Sequence, residues 1–185
     1  MRIVGVARVR MMAIALALTA GGNGLLVVSD AQEMQHDHMA PAGAKVDAGL
    51  LTIASGDKSI TLLPAALKAM PHKTITVHNG HTNMDETYSG VVLSDLLTQV
   101  GAPLGTKLHG KALASYVVVA GSDGYRVIYS IAEVDPSFHT GDVIVADTLN
   151  GKPLVDDGPF KMVNTEDKHP ARWARNTVTI KLITP

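Results

Sequence analysis

The chain of 185 residues contains no cysteine, which excludes a disulfide framework and leaves packing alone to hold the fold. Aromatic residues make up only 4% of it, and the first is Tyr88, so the core is expected to be built from Val, Leu, Ile and Ala. No charge sign dominates: the formal net charge is −1, which excludes a general nucleic-acid or anionic-membrane binder. No apolar run reaches the roughly 20 residues a spanning helix needs, because Gly21, Gly22, Asn23 and Gly24 interrupt the one candidate. A glycine-rich phosphate loop before a helix, CxxC, HExxH and a nucleophile elbow are also missing. Serine and histidine are plentiful, but no motif assembles them into a triad, and no catalytic residue or metal ligand is assigned.

The amino terminus has the pattern of an export signal. Arg2, Arg8 and Arg10 form a positive region, Met11 to Ala20 is apolar apart from Thr19, and Ser29-Asp30-Ala31 supplies small residues for cleavage. Residues 1–31 are therefore expected to be a signal peptide, and the protein periplasmic or secreted, with no membrane contact after cleavage. Val9 separates Arg8 from Arg10, so no adjacent arginine pair is present. Residues 32–48 are polar, rich in small residues and aperiodic, which predicts a disordered tail. Within it Met34, His36, His38 and Met39 are either ligands for a soft or borderline metal such as copper, or part of a solvated tail.

One domain follows, from residue 49 to 185. Leu50 to Ala54 and Ser59 to Leu63 flank Gly56-Asp57 as a hairpin, and Pro64 opens a short helix through Met70. Thr74 to His78 alternates as a strand, and Asn83, Asp85 and Glu86 follow in what reads as a polar loop. Ser94 is expected to cap a helix ending at Gly101. Tyr116 to Ala120 and Tyr125 to Ile131 are strands, with Ser130 capping a short turn at Ile131 to Val134. Asp142 to Ala146 is an apolar strand, and Asn176 to Ile183 a last one with Val178, Ile180 and Leu182 on one face. The class is α+β, a mixed sheet or partial barrel with short helices.

Four segments carry a resemblance. They are Tyr88-Ser89-Gly90-Val91-Val92-Leu93-Ser94-Asp95-Leu96-Leu97, then Ser122-Asp123-Gly124-Tyr125, then Val143 to Leu154 with its Asn150-Gly151-Lys152-Pro153-Leu154 ending, then Gly158 to Val163 with Arg172-Trp173 behind it. In this order and spacing, over roughly Leu50 to Leu182, the chain resembles the molybdopterin-binding domain of the sulfite oxidase family. The resemblance implies that family's mixed fold, a molybdopterin cofactor, two-electron oxygen-atom or electron transfer, and a redox partner protein. It implies a cofactor-binding set of His78, Tyr125, Gly158, Lys161, Lys168, Arg172 and Arg175. The family's metal-ligating cysteine falls near His78, where this chain has imidazole instead of thiolate, with His81 three residues on and the polar loop of Asn83, Asp85 and Glu86 expected to line the same opening.

The residues themselves leave alternatives open. Gly158 lets the backbone approach a bound group, and the four cations suit a small anionic ligand or a pterin phosphate. Equally, they are surface charges paired with Asp156, Asp157, Glu166 and Asp167. His78 is a ligand or a polar rim residue, and Asp123 a turn residue. The functional expectation is an exported molybdopterin-binding oxidoreductase-like protein. Its alternatives are a non-catalytic anion- or partner-binding module on the same fold, and metal handling through the histidine–methionine tail.

Overall fold

The computed structural model describes residues 49–185. The expected signal peptide, tail and His36/His38 site lie outside them. Ten strands, β1 (Leu51–Ser55), β2 (Lys58–Leu62), β3 (Lys73–Asn79), β4 (Met84–Val92), β5 (Tyr116–Gly121), β6 (Arg126–Ser130), β7 (Val143–Leu149), β8 (Lys152–Pro153), β9 (Lys161–Asn164) and β10 (Thr177–Ile183), form two mixed or antiparallel sheets. The helices are short: α1 (Pro64–Lys68), α2 (Leu93–Gln99) and α3 (Ile131–Val134), with 3-10 turns at Gly105–Lys107, Gly110–Ala114 and Pro170–Arg172.

The first sheet runs β2-β1-β10-β5-β6, with β1 and β10 parallel and the rest antiparallel. The second runs β3-β4-β7-β8, and β9 also pairs with β7. The described residues are thus α+β and do not close into a barrel. No helix among them is long and apolar enough to cross a membrane.

Period-two alternation positions the first sheet. Leu51 and Ile53, Val117 and Val119, and Ile180 and Leu182 are fully or almost fully buried, while their neighbours face outward. The second sheet is covered on both sides, which explains the unbroken apolar run at Val143–Ala146. Val143 and Val145 join the main core with Leu93, Leu96, Leu97 and Val100 around α2. Ile144 and Ala146 join a smaller cluster with Ile75, Val77, Tyr88, Val163 and Trp173 on the opposite face. Gly90 sits at a register shift in β4, so close to the Val145 carbonyl that a β-carbon would overlap it.

Several local expectations change. Asp85 and Glu86 belong to β4 instead of a loop, because the strand pairs with β3 from Met84 to Gly90, through the polar residues. Ser94 lies inside α2, whose amino-terminal flanking residue is Val92, with no side-chain cap. Ser130 does cap α3, in a capping box with Glu133. Lys161–Asn164, read only as a pocket wall, is a fully buried strand.

Candidate functional site

The smaller cluster carries the site. Alternation along β4 puts Glu86 and Tyr88 on one face, and the β3–β4 pairing brings Asn79 alongside. β9 supplies Lys161, and the segment before it supplies Asp157. The turn at Pro170–Arg172 presents Trp173, whose ring meets Tyr88 edge-on, 6.0 Å between centroids at 81°. Together with Arg175 at the mouth they surround a cavity of about 370 Å³.

A hydrogen-bond chain lines the floor. The Lys161 ammonium, only 7% exposed, donates to Asp157 Oδ2 at 2.8 Å and to the Tyr88 hydroxyl at 2.9 Å. Tyr88 donates in turn to Glu86 Oε2 at 2.7 Å. Asn79 Nδ2 donates to the same oxygen at 2.9 Å, and Thr82 donates to Glu86 Oε1 at 3.0 Å. The ammonium lies 4.9 Å from the Tyr88 ring centroid and 5.9 Å from that of Trp173. Burial pushes the Glu86 carboxyl up, but hydrogen bonds from Tyr88, Asn79 and Thr82 and the charge of Lys161 outweigh it, so the group is held below the usual glutamate value. Burial, then the Glu86 hydrogen bond and charge, pushes the Tyr88 phenol well above its ordinary value. Tyr88 is therefore a fixed donor to Glu86 and not a base.

The donors outnumber the acceptors left free. Both Glu86 oxygens accept, and Asp157 is shared between Lys161 and, at 3.8 Å, the Nε of Arg175. By contrast Lys161 uses two of its three N–H groups, Arg175 is 65% exposed at the mouth, and the buried Trp173 Nε1 has no partner. His81 stands on the rim.

Of the seven residues expected at a ligand, the structure brings Lys161 and Arg175 to this cavity. The others lie elsewhere. His78 alternates to the outer face of β3, where its Nδ1 meets Asp85 Oδ1 at 2.9 Å. Its neighbour Asn79 and then His81 face the cavity. Arg172 forms a separate clamp: its guanidinium donates to Glu133 Oε1 at 2.6 Å and to Asp167, and lies over the Tyr129 ring at 4.8 Å. Tyr125 donates to the Ala171 carbonyl at 2.6 Å, bracing the turn that carries Trp173. Gly158 takes a positive φ of 73° against Asn176, leaving no room for a side chain. Lys168 is exposed. Tyr88, Asn79 and Asp157 are residues the sequence did not assign to the site, and Glu86 was reached only as part of a polar loop at the opening near His78. Only the alternation of Glu86 and Tyr88 marked two of them, and the polar run before Tyr88 obscured it.

A similar fold is known. The crystal structure of the sulfane dehydrogenase SoxCD from Paracoccus pantotrophus matches with a TM-score of 0.56 at 20% identity, over 76% of this chain and 39% of that one. The chain thus spans about two fifths of the length of the solved structure it matches. The likeness is one of fold, and it agrees with the α+β, sulfite oxidase-like architecture that the four motifs implied. No family model matches the chain. No curated protein matches it either.

Proposed function

We propose that this domain is a ligand-binding module on a sulfite oxidase-like fold, taking a small anionic molecule in the cavity between β4, β9 and Trp173. One observation carries the reading: the cavity's carboxylates are already taken up by neighbouring donors, whereas Lys161 and Arg175 keep N–H groups to spare. An incoming group meets donors, so an acceptor-rich anion is the complementary ligand.

Molybdopterin with its metal fits this donor set poorly. The chain has no thiolate, His78 faces away from the cavity, and among the described residues no three His, Cys, Asp or Glu converge. The fold likeness to a sulfane dehydrogenase favours a second reading, an oxidoreductase that holds molybdopterin and passes electrons to a redox partner. Export to the periplasm or beyond, with processing after Ala31, belongs to both readings.

Quantifying molybdenum and pterin in protein isolated from its native compartment separates them, and sequencing its amino terminus tests the export. The binding-module reading expects neither molybdenum nor pterin, with a chain beginning at Gln32. Equimolar molybdenum and pterin would overturn it in favour of the oxidoreductase.

A further inference from the structure

The cavity does not end at its aromatic wall. A second hollow of about 430 Å³ adjoins it and shares Leu149 and Asp157 as lining residues. Its walls differ in character: Leu149, Pro153, Leu154 and Val155 supply an apolar surface that follows the β7–β8 turn. Val155 is 85% exposed, so its side chain is open to an incoming group. The polar chamber thus borders a trough of mixed lining, in which Leu149, Pro153, Leu154 and Val155 stand beside Asn150, Lys152 and Asp156, with Asp157 shared between the two and Arg175 3.8 Å from it.

We infer that the ligand is a linear amphiphile, a carboxylate head carrying a short alkyl or acyl chain. The inference rests on the anion-binding reading and extends it to ligand shape. The head group sits among Lys161, Arg175 and Trp173, and the chain lies over Leu149, Leu154 and Val155. Charge fixes the direction: the trough carries Asp156 and Asp157 against Lys152, so it repels a carboxylate that enters reversed. Binding is non-covalent and consumes nothing.

The test is an NMR titration of the whole chain with acetate, butyrate, hexanoate and octanoate at constant ionic strength. Affinity is expected to rise about three- to four-fold per methylene over the first few carbons, the increment that burial of a CH₂ supplies. Val155→Ser, an uncharged change at an exposed position, is expected to flatten the rise per methylene from butyrate onward. Arg175→Ala is expected to weaken every member by a similar factor. Acetate binding without any chain-length dependence would overturn the amphiphile and leave the anion site standing. If no carboxylate binds, acetate included, both readings fall.

Discussion

Lys161 and Tyr88 meet at 2.9 Å across 73 residues of sequence, and they do so by reaching over β7. Lys161 lies opposite Ala146 on one side of that strand, and Gly90, two residues beyond Tyr88, lies opposite Ala146 on the other. A small residue at this crossing leaves room for the two long side chains to touch. The contact ties β4 to β9 across β7 and forms the floor of the cavity.

Removing the ammonium strands two carboxylates. Lys161→Met is expected to destabilise the domain by about 2–4 kcal/mol, because Asp157 and Glu86 lose their buried cation while the methylenes stay packed. Urea unfolding measures this. Pairing it with Asp157→Asn is expected to return part of the loss, since the two substitutions act on one interaction. A loss below about 0.5 kcal/mol would show that the network contributes nothing to folding.

Stability should fall at both ends of the pH range. Glu133, like Glu86, has its carboxyl pushed up by burial, but the hydrogen bond and charge of Arg172 and the hydrogen bonds from Ser130 and Asn164 together outweigh this and hold it below the ordinary value. Groups with depressed folded values contribute stability above the ordinary glutamate pKa of about 4.3, and lose it as pH drops through their lower folded values. Tyr88 and Tyr129 are shifted the other way, first by burial and next by Glu86 and Asp167 respectively. Their contribution is complete below the ordinary tyrosine value of about 10 and is lost as pH climbs above it. Denaturation midpoints flat from pH 3 to 11 would contradict this account.

Two glycines separate steric from conformational demand. Gly90→Ala is expected to cost about 3 kcal/mol or more, since its β-carbon would overlap the Val145 backbone in the centre of the sheet. Gly124→Ala has open space and only a φ of +85° to strain it, so about 1 kcal/mol is expected. Thermal unfolding of the two variants side by side checks the order, and equal losses would contradict it.

Arg172 should matter to folding and not directly to binding. Its fork joins Glu133 to Asp167 and caps the Tyr129 ring. Arg172→Lys keeps the charge but loses the two-pronged geometry and the stacking, and is expected to cost about 1–2 kcal/mol with anion affinity unchanged. A selective loss of affinity in a fully folded variant would place Arg172 at the ligand instead.

The alternation of Val178, Ile180 and Leu182, the turn at Gly56-Asp57 and the cap at Ser130 are local signals, and each appears in the structure where the sequence put it. The succession of strands with short helices carried the α+β class, and the order of the four motifs carried the resemblance, because they mark turns and close backbone contacts such as Gly90 against Val145. What was not legible was pairing at long range. Whether a cation is spare or spent depends on which carboxylate the fold brings to it. Arg172 finds Glu133 from 39 residues away, whereas Lys161, on β9, finds Asp157 in the turn just before that strand. Likewise His78 and Asn79 are neighbours, and only the register of β3 decides which of them faces the cavity.

Trp173 offers the most direct test of the central claim, since it is the single tryptophan and stands in the cavity wall. Its fluorescence can be titrated with acetate and with sulfate at constant ionic strength, in the natural protein and in Arg175→Ala. An anion-binding cavity predicts a saturable change in the natural protein that needs at least ten-fold more anion in the variant, about the contribution of one charge-assisted contact. No saturable response, or identical curves for the two proteins, would contradict it.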